Sequence, residues 1–154
     1  LTDIYWGQGT PPFAQTGTKC VIGLDRDGVI NRDLGTYVTD PKDFDPLPQS
    51  LEAVALLRSK GHKIAIITNQ GGIEKGLMTQ NDVDVVHQQK FSKGFYVGDK
   101  ISDLKAAVKI GARPVLVRTG YGVETESKLE KFTYKKLKKQ TYIFDNLWEF
   151  ASAI

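Results

Sequence analysis

One cysteine in 154 residues leaves nothing to pair with, so an internal disulfide and a thiolate zinc cage are both excluded. Cys20 is expected to pack as a small apolar residue at the start of a strand, in a reducing compartment, the cytoplasm. Histidine is almost as scarce, and His62 and His87 read as surface residues rather than ligands. No apolar run approaches the length of a membrane span and no signal-peptide pattern is visible, so no membrane partner is expected. A strong charge of either sign is lacking too. The 21 basic and 18 acidic residues leave a net charge of +3, too mild to argue for nucleic acid. What is there is ordinary for a globular chain, with 40% hydrophobic and 25% charged residues. The length suits one domain with a real core, and a monomer is expected.

The chain begins at Leu1 without a methionine, as expected of a trimmed or partial product. Residues 1–18 mix Gly, Pro, Thr and Gln with scattered aromatics and no period. They read as a surface arm anchored by Tyr5, Trp6 and Phe13, ahead of a single domain over 19–154. The run Cys20-Val-Ile-Gly-Leu-Asp25 reads as a buried parallel strand. Pro48 and Gly61 bracket a helix with Leu51, Val54, Ala55 and Leu57 on one face. A second strand follows from Lys63 to Asn69, then a glycine-punctuated loop, and a capping box at Thr79–Asp82 opens a helix to about Gln89. Phe95–Asp99 predicts a third strand. A helix from about Ser102 carries Leu104, Ala107 and Val108 and is closed by Gly111. Pro114–Val117 is a fourth strand, the lysine-rich stretch 124–140 an exposed helix or loop, and Tyr142–Phe144 a last strand. Asn146 and Glu149 cap a terminal helix holding Leu147, Trp148 and Phe150. This alternation predicts an α/β domain, a mostly parallel sheet with helices on both faces.

A single Asp25-x-Asp27-Gly28 string arises by chance in roughly a few per cent of chains this long. Three strand ends together say more. Asp25/Asp27, Thr68/Asn69 and Asp99 all fall on one edge of a parallel sheet, where ligands bind, with Lys100 and Asp103 just after. Several carboxylates within a few ångströms repel unless a cation neutralises them. An all-oxygen set without His or Cys suits a hard ion, Mg²⁺ above others. Thr68, Asn69 and Lys100 add donors fitted to a phosphate. Taken singly, each has a plainer reading. Thr68 and Asn69 cap a turn, Asp103 complements a helix dipole, and the lysines of 128–139 form a solvated face.

These residues resemble the haloacid dehalogenase-like (HAD-like) phosphohydrolases. The motifs are Asp25-x-Asp27-Gly28, Thr68-Asn69 and Gly98-Asp99-x-x-x-Asp103, in the family's order. The wording Asp25-Arg-Asp-Gly-Val-Ile-Asn31, Ile67-Thr-Asn-Gln70 and Val97-Gly-Asp-Lys100, extending through Val115–Gly120, is similar to the heptose-bisphosphate and histidinol-phosphate phosphatase branch. The resemblance implies a Rossmann-like HAD fold without a large cap domain. It implies Asp25 as nucleophile and Asp27 as general acid/base, with Mg²⁺ held by Asp25, the Asp27 main-chain carbonyl and Asp99. Thr68, Asn69, Gln70 and Lys100 would bind phosphate or substrate, with Asp33 and Tyr37 reaching in from a small flap. Gly28 and Asp103 would support the site, Asp103 by orienting Lys100 or by holding the metal through water. The expected activity is Mg²⁺-dependent hydrolysis of a small phosphorylated sugar through an aspartyl-phosphate.

Two departures stand against the pattern. The family places a strand, helix and phosphate-binding lysine between the Thr-Asn and Gly-Asp strands, yet only one helix fits between Asn69 and Phe95. A segment is therefore expected to be missing near 90–91, leaving Lys90, Lys93 and Lys100 as candidates for that lysine. The Cys/His zinc loop that relatives often carry there has no counterpart. A nucleic-acid 3′-phosphatase and a non-catalytic phosphosugar-binding module stand as alternative functions.

Overall fold

The computed structural model describes residues 19–35, 40–67 and 94–154. Among these residues five strands, β1 (Val21–Asp25), β2 (Lys63–Ile67), β3 (Phe95–Gly98), β4 (Arg113–Val117) and β5 (Tyr142–Phe144), form one sheet in the order β2-β1-β3-β4-β5. Every pairing is parallel, with Ile22 opposite both Ile64 and Phe95. The helices are α1 (Ser50–Ser59), α2 (Ile101–Lys109), α3 (Gly122–Leu129), α4 (Lys135–Gln140) and α5 (Leu147–Ala153).

Alternation along the strands explains the two layers. Ile22, Leu24, Phe95, Val97, Val115, Val117 and Phe144 face one side, where Ala53 and Leu57 of α1 and Leu147, Phe150 and Ala151 of α5 cover them. The residues between them, Tyr96, Leu116 and Ile143, face the other side against Leu104 and Ala107 of α2 and Leu129 of α3. Phe150 packs edge-on against Phe95 and Phe144, each with ring centroids 5.4 Å apart. The sheet is thus covered on both faces along β1, β3, β4 and β5, while the edge strand β2 leaves Lys63 and Ile66 exposed.

Helix ends follow the expected chemistry, while two helix faces differ. Gly61 and Gly111 close α1 and α2 at φ +88° and +78°, left-handed conformations that favour glycine. The Asn146 side chain accepts the Glu149 N–H at 2.9 Å, and Glu149 accepts the Asp145 N–H. In α1, however, the buried stripe is Ser50, Ala53 and Leu57, and Leu51 is half exposed. The Ser50 hydroxyl sets that rotation by donating to the Ile30 carbonyl at 2.7 Å. In α2 the Asp103 carboxylate turns inward, so Val108 faces out and Asp103, Leu104 and Ala107 are buried. The lysine-rich stretch folds as α3 and α4 and is exposed over most of its length, as expected. Leu129 and Thr125 are buried beneath its charges. None of the described helices is long and apolar enough to cross a membrane.

The strand order carries the functional consequence. From β1 the chain first moves outward to β2, while β3, β4 and β5 lie on the other side of β1. The direction reverses between β1 and β3, and ligands bind beyond the strand ends at such a switch point. Asp25 closes β1 there, and Asp99 follows β3.

Candidate active site

Asp25, Asp99 and Asp103 converge at the switch point, each offering one carboxylate oxygen within 4.8 Å of the others. Each is buried, with Asp99 and Asp103 at 0% and 2% exposed. Backbone N–H groups take up one oxygen of each. Asp25 Oδ1 accepts the Arg26 N–H at 2.9 Å. Asp99 Oδ2 accepts the Tyr121 N–H at 2.9 Å. Asp103 Oδ2 accepts the N–H groups of both Asp99 and Lys100 at 3.1 Å. Asp99 Oδ1 alone is a buried side-chain oxygen without a hydrogen-bond partner among the described residues.

Three glycines make room for these acids. A Cβ on Gly28, at φ +85°, would come within 2.1 Å of Asp99 Oδ2. One on Gly120 would come within 2.3 Å of the same oxygen, and one on Gly98 within 2.2 Å of the Asp103 Cβ. The carboxylates fill the volume that side chains at those positions would need.

The electrostatics of the cluster are unfavourable without a counter-ion. Burial first, then the charges of Asp103 and Asp99, push the Asp25 carboxyl up to about 9. Burial pushes Asp99 up to about 6, against the pull of the Tyr121 N–H and with a further push from Asp103. Asp103 is also raised by burial despite its backbone donors, with the Asp25 carboxylate facing it within 4.8 Å. The same cluster, after burial, pushes the neighbouring Tyr96 phenol upward.

Asp27 lies apart from the three acids. Arg26 Nε and Nη2 fork onto its two carboxylate oxygens at 3.2 and 3.1 Å, and Asn31 Nδ2 approaches at 3.5 Å. Its loop is fixed by the Gly28 N–H to the Asn31 carbonyl and by the Asp45 N–H to Asn31 Oδ1, at 2.7 and 2.6 Å. At the rim Lys100 Nζ pairs with Asp33 at 3.2 Å and lies 4.9 Å over the Tyr121 ring. Partial burial alone would lower Lys100, but Asp33, Asp99 and Asp25 outweigh it and hold the ammonium above its usual value. Asp33 is correspondingly lowered, because the Gly35 N–H and Lys100 overcome its desolvation.

The structure therefore brings together Asp25, Asp99, Asp103 and Gly28, with Asp27, Asp33 and Lys100 around them. Tyr37, Thr68, Asn69, Gln70, Lys90 and Lys93 lie outside the described residues. Asp103, expected to orient Lys100 or to hold the metal through water, lies in the cluster and accepts the Lys100 backbone N–H. Its position four residues after Asp99, in the first turn of a helix beginning at the strand end, is the signal that places it there. The end of β4 belongs to the same edge, and reading it alongside the other strand ends would have found Tyr121.

The family model described as "HAD-hyrolase-like" matches residues 77–150. A D-glycero-beta-D-manno-heptose-1,7-bisphosphate 7-phosphatase of Pseudomonas aeruginosa is 30% identical over 182 positions, covering 89% of this chain and 98% of that protein. The chain belongs to the HAD-like hydrolases. A solved HAD-like relative, the D,D-heptose 1,7-bisphosphate phosphatase of Burkholderia thailandensis, is 29% identical with a TM-score of 0.63, covering 87% of this chain and 97% of that one. The corresponding protein of B. bronchiseptica, solved with magnesium and phosphate, shares the fold at a TM-score of 0.68 and 24% identity, over 86% of this chain and 96% of that one.

The HAD-like site here fits such an ion on its own terms. Its donors are carboxylate oxygens without nitrogen or sulfur, which suits magnesium. One of them is an orphaned buried oxygen, which costs free energy unless something binds it. Backbone donors engage the second oxygens of the acids, which favours one-oxygen coordination over the bidentate clasp common with larger calcium.

Proposed function

We propose that this chain is a Mg²⁺-dependent phosphomonoesterase acting on a small phosphorylated sugar, a heptose bisphosphate or a close chemical relative. The observation that carries the reading is Asp25 at the switch point, within reach of two further acids, one of which keeps a buried oxygen unpartnered among the described residues. Asp25, Asp99 and the Asp27 main-chain carbonyl would hold the ion with Asp103 beside them, and the ion when bound cancels charge on the nucleophile and on the transferring phosphoryl group. Asp25 attacks phosphorus in line, the phosphorus–oxygen bond to the sugar breaks, and an aspartyl-phosphate forms. Asp27 gives a proton to the departing alkoxide and later takes one from the water that opens the intermediate. Arg26 places one N–H on each Asp27 oxygen, which orients the carboxyl and leaves a lone pair on each oxygen for the proton it carries.

Lys100 and Asp33 form the substrate-facing rim, with Thr68, Asn69, Gln70 and Tyr37 assigned to phosphate and substrate by their motif positions. The alignment of 182 positions is longer than the 154-residue chain, which supports the reading that relatives carry a segment absent here. Residues 19–154 are taken as one catalytic domain behind an arm at 1–18.

The test is phosphate release from a panel of sugar mono- and bisphosphates with Mg²⁺ and with EDTA, beside an Asp25→Asn variant. Release that depends on Mg²⁺ and vanishes in the variant is expected. Equal activity in Asp25→Asn overturns the assigned nucleophile.

A further inference from the structure

Thr119 to Thr125, between the end of β4 and the first turns of α3, touch both loops that carry the proposed site. The Thr119 hydroxyl donates to the Gly28 carbonyl at 2.5 Å. The Tyr121 N–H donates to Asp99 Oδ2 at 2.9 Å, and the buried Thr125 hydroxyl donates to the Asp99 carbonyl at 2.7 Å. Gly120, at φ +57°, lies so close that a Cβ would come within 2.6 Å of the Gly28 Cα and within 2.3 Å of Asp99 Oδ2. The segment thus binds the nucleophile loop with one hydroxyl and the Asp99 loop with another.

We propose that Thr119 and Thr125 are positioning residues for the cation, acting through Gly28 and Asp99. With its carbonyl held by Thr125 and Oδ2 held by Tyr121, Asp99 can turn only Oδ1 toward the acid cluster, and Oδ1 is the orphaned oxygen. Thr119 keeps the loop that follows Asp25 at a fixed distance from the Asp99 loop. The hydroxyls matter because a valine of the same shape fills the space yet leaves a carbonyl without its donor. Groups that orient metal ligands in this way typically change metal affinity 10–100-fold when removed. The inference rests on the proposed cation site.

The experiment uses the full chain stripped with EDTA and titrated with Mn²⁺, an ion suited to carboxylate oxygen, followed by its EPR signal. Thr125→Val is expected to bind Mn²⁺ at least about tenfold more weakly, and Thr125→Ser, which keeps the hydroxyl, to stay within about threefold of the parent. Thr119→Val is expected to weaken binding by about tenfold independently, and it decides the matter if Thr125→Val does not fold by circular dichroism. Parent-like Mn²⁺ affinity in the folded valine variants, whatever their melting temperatures, overturns the inference. So does a Thr125→Ser variant as weak as Thr125→Val. A parent chain that takes up no Mn²⁺ overturns the proposed cation site, and this inference with it.

Discussion

Removing divalent metal and raising the pH should destabilise this protein over a range where most folds are indifferent. In the native chain Asp25 is pushed up to about 9, first by burial and then by Asp103 and Asp99. The unfolded chain releases that proton in the ordinary carboxylate range. Between the two values the native state therefore holds a proton that the unfolded state has lost, and stability falls as pH rises. The window from about pH 6.5 to 8.5 follows the Asp25 proton, and Asp103, raised in the same direction by burial beside it, can only add to the fall. Asp99, at about 6, has largely titrated below it, and the lowered His62, Asp33 and Glu126 act below it as well. The raised Cys20 and Tyr96 act above it. One proton over about two pH units is roughly 3 kcal/mol. For a chain of this size that is about 6–12 °C in Tm. The assay is thermal denaturation in EDTA across the window, repeated with saturating Mg²⁺. The metal-free melting temperature should fall by about that amount, and Mg²⁺ should both raise it and flatten its pH dependence. Asp25→Asn in EDTA should lose most of the slope and melt above the parent at the alkaline end. A flat or rising metal-free curve, or an Asp25→Asn variant that keeps the parent slope, refutes the argument.

Three further outcomes follow from other contacts. Gly28→Ala forces a side chain into φ +85° and against Asp99 Oδ2, and should cost about 1–3 kcal/mol while abolishing the stabilisation by Mg²⁺, as melts with and without the ion will show. Lys60→Met removes an ammonium that donates to the Ala151 and Ile154 carbonyls at the end of α5, at 2.8 and 2.5 Å; about 1 kcal/mol should be lost with Mn²⁺ affinity unchanged. Arg118→Lys breaks the fork on Glu126, at 2.8 and 2.9 Å, and the bond to Asp145 at 2.7 Å. It should cost about 1–2 kcal/mol at neutral pH. The loss should shrink on acidification, because Glu126, held low by Arg118, stabilises the fold only while ionised.

The sheet was legible because its strands are short apolar runs stopped by acids or turn residues, a pattern that survives without tertiary information. Tyr142–Phe144 falls where the run length places it, β1 begins one residue later than expected, at Val21, and β4 one residue earlier, at Arg113. Helix faces were less legible, since α1 is rotated by a hydroxyl bond from Ser50 to a loop carbonyl and α2 by a carboxylate drawn inward. Neither force has a hydrophobic signature. The acids Asp25 and Asp99 announced themselves at strand ends, whereas the guanidinium fork on Asp27 did not. Adjacent residues 26 and 27 ordinarily diverge, and only the bend of this loop lets their side chains meet.

Packing three carboxylates beneath one another opposes stability at every step: burial disfavours each charge, and each charge raises its neighbours. A fold that needed only to stand would place apolar side chains there, and glycine at 28, 98 and 120 would be unnecessary. Instead the chain gives up side-chain volume at three positions to admit the acids and donates four backbone N–H groups to orient them. Those N–H bonds offset part of the desolvation, but they engage only one oxygen of each acid. The arrangement is therefore stabilised short of neutrality, with the remaining charge concentrated at the switch point where a cation can complete it. Local cost accepted at the strand ends, against a conventional apolar core on both faces of the sheet, is the physical mark that separates a working site from a polar turn.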